Sequence, residues 1–376
     1  MREPNDTTHY ELAQQDLTEL EYTSPAMEEV KSGKVRNLYA LRGVVFETTN
    51  RISVFDRVIM ENVPLKGAML NCISQYNKHL LSELGFATDF IPVSRSFFEG
   101  AGIKPEDTNR YSYAEGLTML PFEFIVRGFL VGSAYKAYKK GEPYCGFTFP
   151  EGMKEGDKLP EPIVTPTTKE EDGHDRPVTK YEMVSMLAEW FMDNGMSEDP
   201  DDLYEEFDGD FAACEAELSE DLSEEVIAYA EDIEDEWERM EYQLAYQAAM
   251  YYVDEAYDMS LEAFKILCDM CAEVGILFID TKFEFGLNAD GDIVLGDEVG
   301  TPDSSRFAPA DEYAATGKIV SMDKQIVRDY ASSVGFTGDP DEPLPVLPDE
   351  LIKQVTDTYV KIAELICGKY NVTAFL

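Results

Sequence analysis

From residue 30 onward, apolar and polar positions alternate in short runs divided by glycines. VKSGKVRNLYALRGVVFETT reads as a strand, a glycine turn, a strand over 35–41, an Arg-Gly turn and a strand over 44–48. The β-branched and aromatic content of these runs favours a pleated backbone. The period then lengthens. In AMLNCISQYNKHLLSELG, the residues Met69, Leu70, Ile73, Leu80, Leu81 and Leu84 recur at helical spacing, and Gly85 ends the run. FEFIV (122–126) predicts a short buried strand, and GSAYKAYKKG (132–141) a helix with Ser133 near its start and Gly141 as its stop. Residues 142–180 hold many glycines and prolines without a period, which predicts one long loop. Helices over 181–193 and 249–274 follow, then strands over 276–280, 282–287 and 293–297. Helices over 321–333 and 348–367 close the pattern, the last stopped by Gly368.

Between the helices at 181–193 and 249–274 lies a block of different character. Residues 196–241 carry 21 acidic side chains and one basic one, Arg239. Apolar residues in EEVIAYAEDIEDEWERMEYQLAYQAAMYY still recur at roughly helical spacing. We therefore expect an inserted, acidic helical element over about 196–248, carried as a solvated surface appendage. Residues 1–27 read as a polar extension, 28–120 as a first lobe and 121–376 as a larger second lobe.

Charge narrows the function. The 376-residue chain has 31 basic and 75 acidic residues, a net charge of −44. Phosphate backbones and anionic lipid surfaces need a basic footprint, so neither nucleic acid nor membrane is an expected partner. The N-terminus lacks an apolar signal region and no run approaches a membrane span, so a cytoplasmic protein is expected. Six scattered cysteines make no disulfide framework at this length. Cys268 and Cys271 form a CxxC inside an apolar helical run with no second pair to complete a zinc site. They are expected to be structural thiols.

The stretch DTKFEFGLNADGDIVLGDE (280–298) raises a chemical question. With Asp290-Gly291 at the centre of a two-residue turn, Glu284 stands opposite Asp297. Asp280, Lys282, Glu284 and Asp297 then share one face. Directly opposed like charges destabilise a sheet, so a positive group should lie between them. A hard divalent ion held by carboxylates and substrate phosphates is one answer, and a solvated polar face is the other. A slip of one residue would send Asp297 to the opposite face. The following TPDSSR (301–306) offers hydroxyls and an arginine, common partners of phosphate. SGKVR (32–36) places Gly33, Lys34 and Arg36 in and after a glycine turn, suited to phosphates or simply a hairpin. FEFIVRGFLVGS sets Arg127 at the end of a strand and Gly132-Ser133 at a helix start, where an anion is favoured. His174 and Asp175 are adjacent in the long loop, where they could act as base, ligand or hinge.

Taken together, SGKVRNLY, NRISVFD with VPLKGAML, LPFEFIVRGFLVGS, PIVTPTTKEEDGHD, GILFIDTKFEFG, LGDEVGTPDSSRF and MDKQIVRDY resemble the SAICAR synthetases (phosphoribosylaminoimidazole-succinocarboxamide synthases). The resemblance implies a mixed α/β (α+β) fold of two lobes, similar to ATP-grasp enzymes, with antiparallel sheets flanked by helices. It implies ATP-dependent ligation of L-aspartate to carboxyaminoimidazole ribonucleotide (CAIR), with Mg2+ as cofactor and ATP as co-substrate. By the same resemblance, Gly33, Lys34 and Arg36 cover the ATP phosphates, and Leu117–Met119 border the adenine. Glu284 and Asp297 bind ATP through Mg2+, and Asp280 and Lys282 line the catalytic cleft. Arg127, Ser133, Ser305 and Arg306 grip the ribonucleotide, and His174 and Asp175 border the CAIR and aspartate pockets. Asp56 and Lys66 are further matches. Two positions depart from the pattern: Asn50 where an acidic residue is expected, and Ala308 where a tryptophan is expected. The acidic block is also longer than the resemblance implies. Rival readings are a small-molecule kinase and a non-catalytic scaffold for a basic partner. The resemblance is also compatible with assembly into a homo-oligomer.

Overall fold

The structure is a computed structural model. It describes residues 28–368 apart from 33, 41–42, 56, 170–174, 197–199, 201–202, 205–206, 208–209 and 220–221. The chain opens with β1 (Glu28–Ser32), β2 (Arg36–Ala40), β3 (Val44–Thr48), β4 (Arg51–Val54), β5 (Arg57–Asn62) and α1 (Lys66–Glu83). Then come β6 (Phe90–Ile91), α2 (Arg95–Gly100), β7 (Tyr111–Ala114), β8 (Thr118–Met119), β9 (Phe122–Phe129), α3 (Gly132–Lys140) and β10 (Lys158–Thr168). Four helices follow: α4 (Lys180–Asp193), α5 (Phe211–Ser219), α6 (Glu224–Glu231) and α7 (Glu236–Glu273). The rest is β11 (Ile276–Leu287), β12 (Ile293–Gly296), β13 (Ser305–Pro309), α8 (Ala310–Thr316), α9 (Gln325–Ser333) and α10 (Asp349–Cys367).

Two antiparallel sheets organise these elements. The first runs β1-β2-β3-β7-β6. The second runs β10-β9-β11-β12, with β8 and β13 also paired to β11. The 12-residue β11 is its axis: residues 280–283 pair with β9, 276–281 with β13, 284–287 with β12, and 286–287 with β8. β4 and β5 form a separate pair. Backbone hydrogen bonds from Leu295 to Ala87 and from Asp89 to Leu295, both 3.0 Å, tie the second sheet to the chain entering β6.

Two sequence expectations change here. Residues 142–180 are not one loop, because β10 occupies 158–168 and pairs with β9. Pro160, Pro162 and Pro166 hid it. β10 stands at the sheet edge, where a missing N–H is tolerated, and its register shifts between Lys158 and Ile163 across the first two prolines. The strands expected at 276–280 and 282–287 are one strand with an irregularity between Phe278 and Asp280.

The described part of the acidic block is largely helical, but it is not a surface appendage, because one face of its helices is buried in the fold. The helix expected from 249 starts at Glu236, where the Asp235 carboxylate accepts hydrogen bonds from the N–H groups of Trp237 and Glu238. Leu222, Val226 and Ala230 enter the main buried cluster with Phe191, Tyr246 and Val253. Cys214, Leu218, Met240 and Leu244 make a smaller cluster of their own. Glu231, Glu234, Glu236 and Glu238 face solvent. Further along α7, Phe264 stacks on Phe278 of β11, and Tyr257 meets Phe124 of β9 edge-on. Cys268 and Cys271 lie on this helix as free thiols, and burial pushes the Cys268 thiol up to about 12. Among the described residues, no helix is long and apolar enough to cross a membrane.

Candidate active site

The carboxylate hairpin forms with a different register. Glu284 pairs with Gly296 and Leu287 with Ile293, one residue from the expected alignment. The cause is Asn288. Its side-chain oxygen accepts hydrogen bonds from the N–H groups of Asp290 and Asp292, and its backbone N–H donates to Asp292 O. The loop therefore holds three residues, Ala289 to Gly291, with Gly291 in the left-handed region at φ +83°. In a regular strand the slip would turn Asp297 away from Glu284. Asp297 instead has φ +55° and leaves the strand, and its carboxylate meets Arg36.

The positive groups that the opposed carboxylates call for are side chains of the protein. Glu284, buried on β11, receives Lys282 on one oxygen and Lys169 on the other. Lys282 also reaches Glu123 at 2.8 Å. Arg36 spans Asp297 (3.0 Å) and Glu298 (2.9 Å), and so joins the first sheet to the end of the hairpin. Burial alone would raise the Asp297 carboxyl, but Arg36, Lys282 and Lys169 outweigh it and hold that carboxyl well below the usual range. Burial likewise opposes charge on Lys282, and Glu284, Glu123 and Asp297 together raise it. Neither sequence spacing nor turn chemistry singled out Lys169 and Glu123. Lys169 directly follows the proline-disguised β10, and Glu123 alternates with Phe122 and Phe124 on β9, a period that could have placed it on the site face.

Four residues up β11, Asp280 gathers two arginines. Arg127 of β9, 3 % exposed, approaches its Oδ2 at 3.2 Å, and Arg306 of β13 pairs with the same oxygen. Arg127 also donates to Thr165 Oγ1 (2.9 Å) and Ser133 Oγ (3.1 Å). Thr281 and Ser305 share a hydrogen bond of 2.7 Å. Asp303 in the same loop is buried in an ion pair with Lys66 (2.7 Å) and accepts from the Tyr359 hydroxyl (2.8 Å). This anchors the loop that presents Ser305 and Arg306.

On the far side of the hairpin, β8 pairs with Gly286 and Leu287. A Cβ on Gly286 would lie 2.8 Å from Leu117 Cβ and 2.9 Å from Thr118 O. Glycine is what allows Leu117 and Met119 to lie against the carboxylate strand. Lys34 is exposed in the turn before β2, and Asp175 is exposed beyond β10. Gly33, Asp56 and His174 lie outside the described residues. Ser133 does not cap α3 through its side chain; Val131 is the N-cap.

A model of the SAICAR synthetase family matches residues 29–218 and 215–342. The chain belongs to the SAICAR synthetase family. A phosphoribosylaminoimidazole-succinocarboxamide synthase of Lachnospira eligens is 32% identical over 343 residues, covering 90% of this chain and 94% of that one. That of Corynebacterium ammoniagenes is 33% identical over 345 residues, with 90% and 94% covered. Among solved structures, the Saccharomyces cerevisiae SAICAR synthase complexed with SAICAR superposes with a TM-score of 0.65 at 24% identity, covering 93% of this chain and 97% of that one. A type-2 SAICAR synthetase in complex with ADP gives 0.55 at 22%, with 90% and 98% covered. The α+β architecture of antiparallel sheets and helices is thus the SAICAR synthetase fold. Within it, the two departures are accommodated locally. Asn50 accepts the Gly67 N–H (2.9 Å) at the start of α1. Ala308 is fully buried with Phe129, Val131 and Ile279 beside Tyr313 and Ile319.

Proposed function

We propose that this SAICAR synthetase family member ligates L-aspartate to the carboxylate of CAIR with ATP, yielding SAICAR, ADP and phosphate for purine biosynthesis in the cytoplasm. The observation that carries the reading is β11. This one strand bears Asp280, which clamps an arginine pair, and Lys282 with Glu284, which anchor the cation–carboxylate cluster.

A carboxylate is a poor electrophile, so it must be activated. A CAIR carboxylate oxygen attacks the γ-phosphorus of ATP, and ADP leaves. The aspartate amine then attacks the carbonyl carbon of the acyl phosphate and loses a proton, and inorganic phosphate leaves. Lys34 and Arg36, after Gly33, face the ATP phosphates, and Leu117 and Met119 flank the adenine. Arg127, Ser133, Ser305 and Arg306 hold the ribonucleotide, with His174 and Asp175 bordering its pocket. Asp280 orients the two arginines, and Lys282 offsets charge that develops on the transferred group.

The donor set fits Mg2+. Glu284 and Asp297 offer hard carboxylate oxygens fixed by the hairpin, and substrate phosphates would complete the shell. Such an ion would neutralise charge on the ATP phosphates when bound. Lys169 and Arg36, which occupy these carboxylates here, could then turn to phosphate oxygens.

The test is ADP release by the purified protein with Mg2+ and ATP, leaving out CAIR or L-aspartate in turn. Release that needs both substrates is expected. Release with CAIR alone would indicate a kinase-like activity, and no release under any condition would overturn the proposal.

A further inference from the structure

We infer that Tyr144 is a positioning residue that turns the Ser133 hydroxyl into an obligate donor toward an anionic oxygen of the ribonucleotide, its phosphate. The inference rests on the substrate reading above and assigns a role to a residue outside the motifs that carry the family resemblance.

Tyr144 and Phe147 exchange backbone hydrogen bonds of 2.9 Å in each direction. Between them Cys145 and Gly146 both have positive φ, +49° and +83°. That is a two-residue turn of the primed type, which closes a tight hairpin and fixes the backbone at Tyr144. The side chain is fixed as well. It is 8 % exposed, packed with Leu130, Ala134 and Leu159, and the Arg127 guanidinium lies 5.7 Å from its ring centre. Its hydroxyl donates to Ser133 Oγ at 2.8 Å.

A serine hydroxyl has one proton and two acceptor lone pairs. Ser133 Oγ accepts from Tyr144 and also from Arg127 Nη2 at 3.1 Å. Both lone pairs are taken by donors that are themselves held in place. The proton must therefore point outward, and among the described residues no protein acceptor receives it. Ser133 is exposed at the second position of α3, whose N-cap Val131 supplies no side chain to the free first-turn N–H groups. The hydroxyl proton and these N–H groups favour the same kind of ligand, an oxyanion. Without the Tyr144 hydroxyl, Ser133 could rotate and offer a lone pair to the ligand, which would repel it.

The test compares wild type with Tyr144→Phe, Ser133→Ala and the double variant. Phenylalanine keeps the ring, its packing and its contact with Arg127. CAIR binding is measured by calorimetry, and steady-state constants by ADP release. For Tyr144→Phe we expect Kd and KM for CAIR to rise about five- to tenfold, with kcat and the KM for ATP within twofold of wild type. The double variant should match Ser133→Ala alone, because the tyrosine acts through the serine. The decarboxylated ribonucleotide, which keeps the phosphate, should lose affinity to the same extent. If only CAIR is affected, the carboxylate is the contacted group and the phosphate assignment fails. CAIR binding by Tyr144→Phe within twofold of wild type, or effects that multiply in the double variant, would overturn the inference alone. A wild type that neither binds CAIR nor releases ADP would overturn the functional reading and this inference together.

Discussion

Asp297 shows how a single backbone angle decides the chemistry of a residue. Its left-handed conformation returns to the cleft a carboxylate that the hairpin register would have turned away. Arg36 and two lysines keep it ionised at neutral pH. For Asp297→Asn we expect ADP formation to fall about 100-fold or more while the circular dichroism spectrum is unchanged, since Arg36 retains Glu298. Activity within a few-fold of wild type would remove Asp297 from the site. Asp323 shows the opposite behaviour. Burial raises it from 3.8 to about 6 despite hydrogen bonds from the Gln325 and Phe307 N–H groups. Between those values the folded state holds more protons than the unfolded chain, so this group's contribution to stability is complete below pH 4 and is lost as pH rises through 6. In Asp323→Asn, the difference in unfolding free energy between pH 4 and pH 7 should change by on the order of 3 kcal/mol. Urea titrations of both proteins at the two pH values would show it, and identical pH profiles would refute it.

At the level of elements, β8 depends on two glycines of the carboxylate hairpin. Gly286 leaves no room for a Cβ beside Leu117, and Gly296 lies under the same side chain. Gly286→Ala should displace β8 and raise the KM for ATP about tenfold, roughly 1.4 kcal/mol, with the KM for CAIR unchanged. Steady-state titration of each substrate separates these effects, and an unchanged KM for ATP would argue against a nucleotide role for β8. The elements also show what a sequence can disclose. Helices such as α3 and α4 were legible because apolar period and stop signals are local. The slip in the β11–β12 hairpin was not, because Asp290-Gly291 suggests a two-residue turn while Asn288 contributes the side chain that makes it three. β10 was hidden because its prolines read as loop until its place at a sheet edge is known. The candidate residues themselves stood in recognisable stretches. Their pairings were not legible: Arg36 meets Asp297, and Lys169 meets Glu284, across separations that no local pattern encodes.

The whole molecule carries a net charge of −44, of which −20 falls in residues 196–241, a block whose apolar face belongs to the core. Repulsion among those surface carboxylates opposes the compact state and weakens as salt shortens its range. Raising NaCl from 0.05 to 0.5 M should therefore raise Tm by about 3 °C or more. A flat response in scanning calorimetry would mean that the acidic faces are already neutralised by local partners. The architecture has a mechanical side as well. Asp280 and Glu284 are set on one continuous strand that is bonded along its length, about 13 Å apart at the usual rise per residue. That strand fixes the spacing between the arginine pair on Asp280 and the lysine pair on Glu284, much as a ruler fixes two marks. Arg36 reaches the hairpin from the other sheet, so its distance from those marks is set by how the two sheets meet.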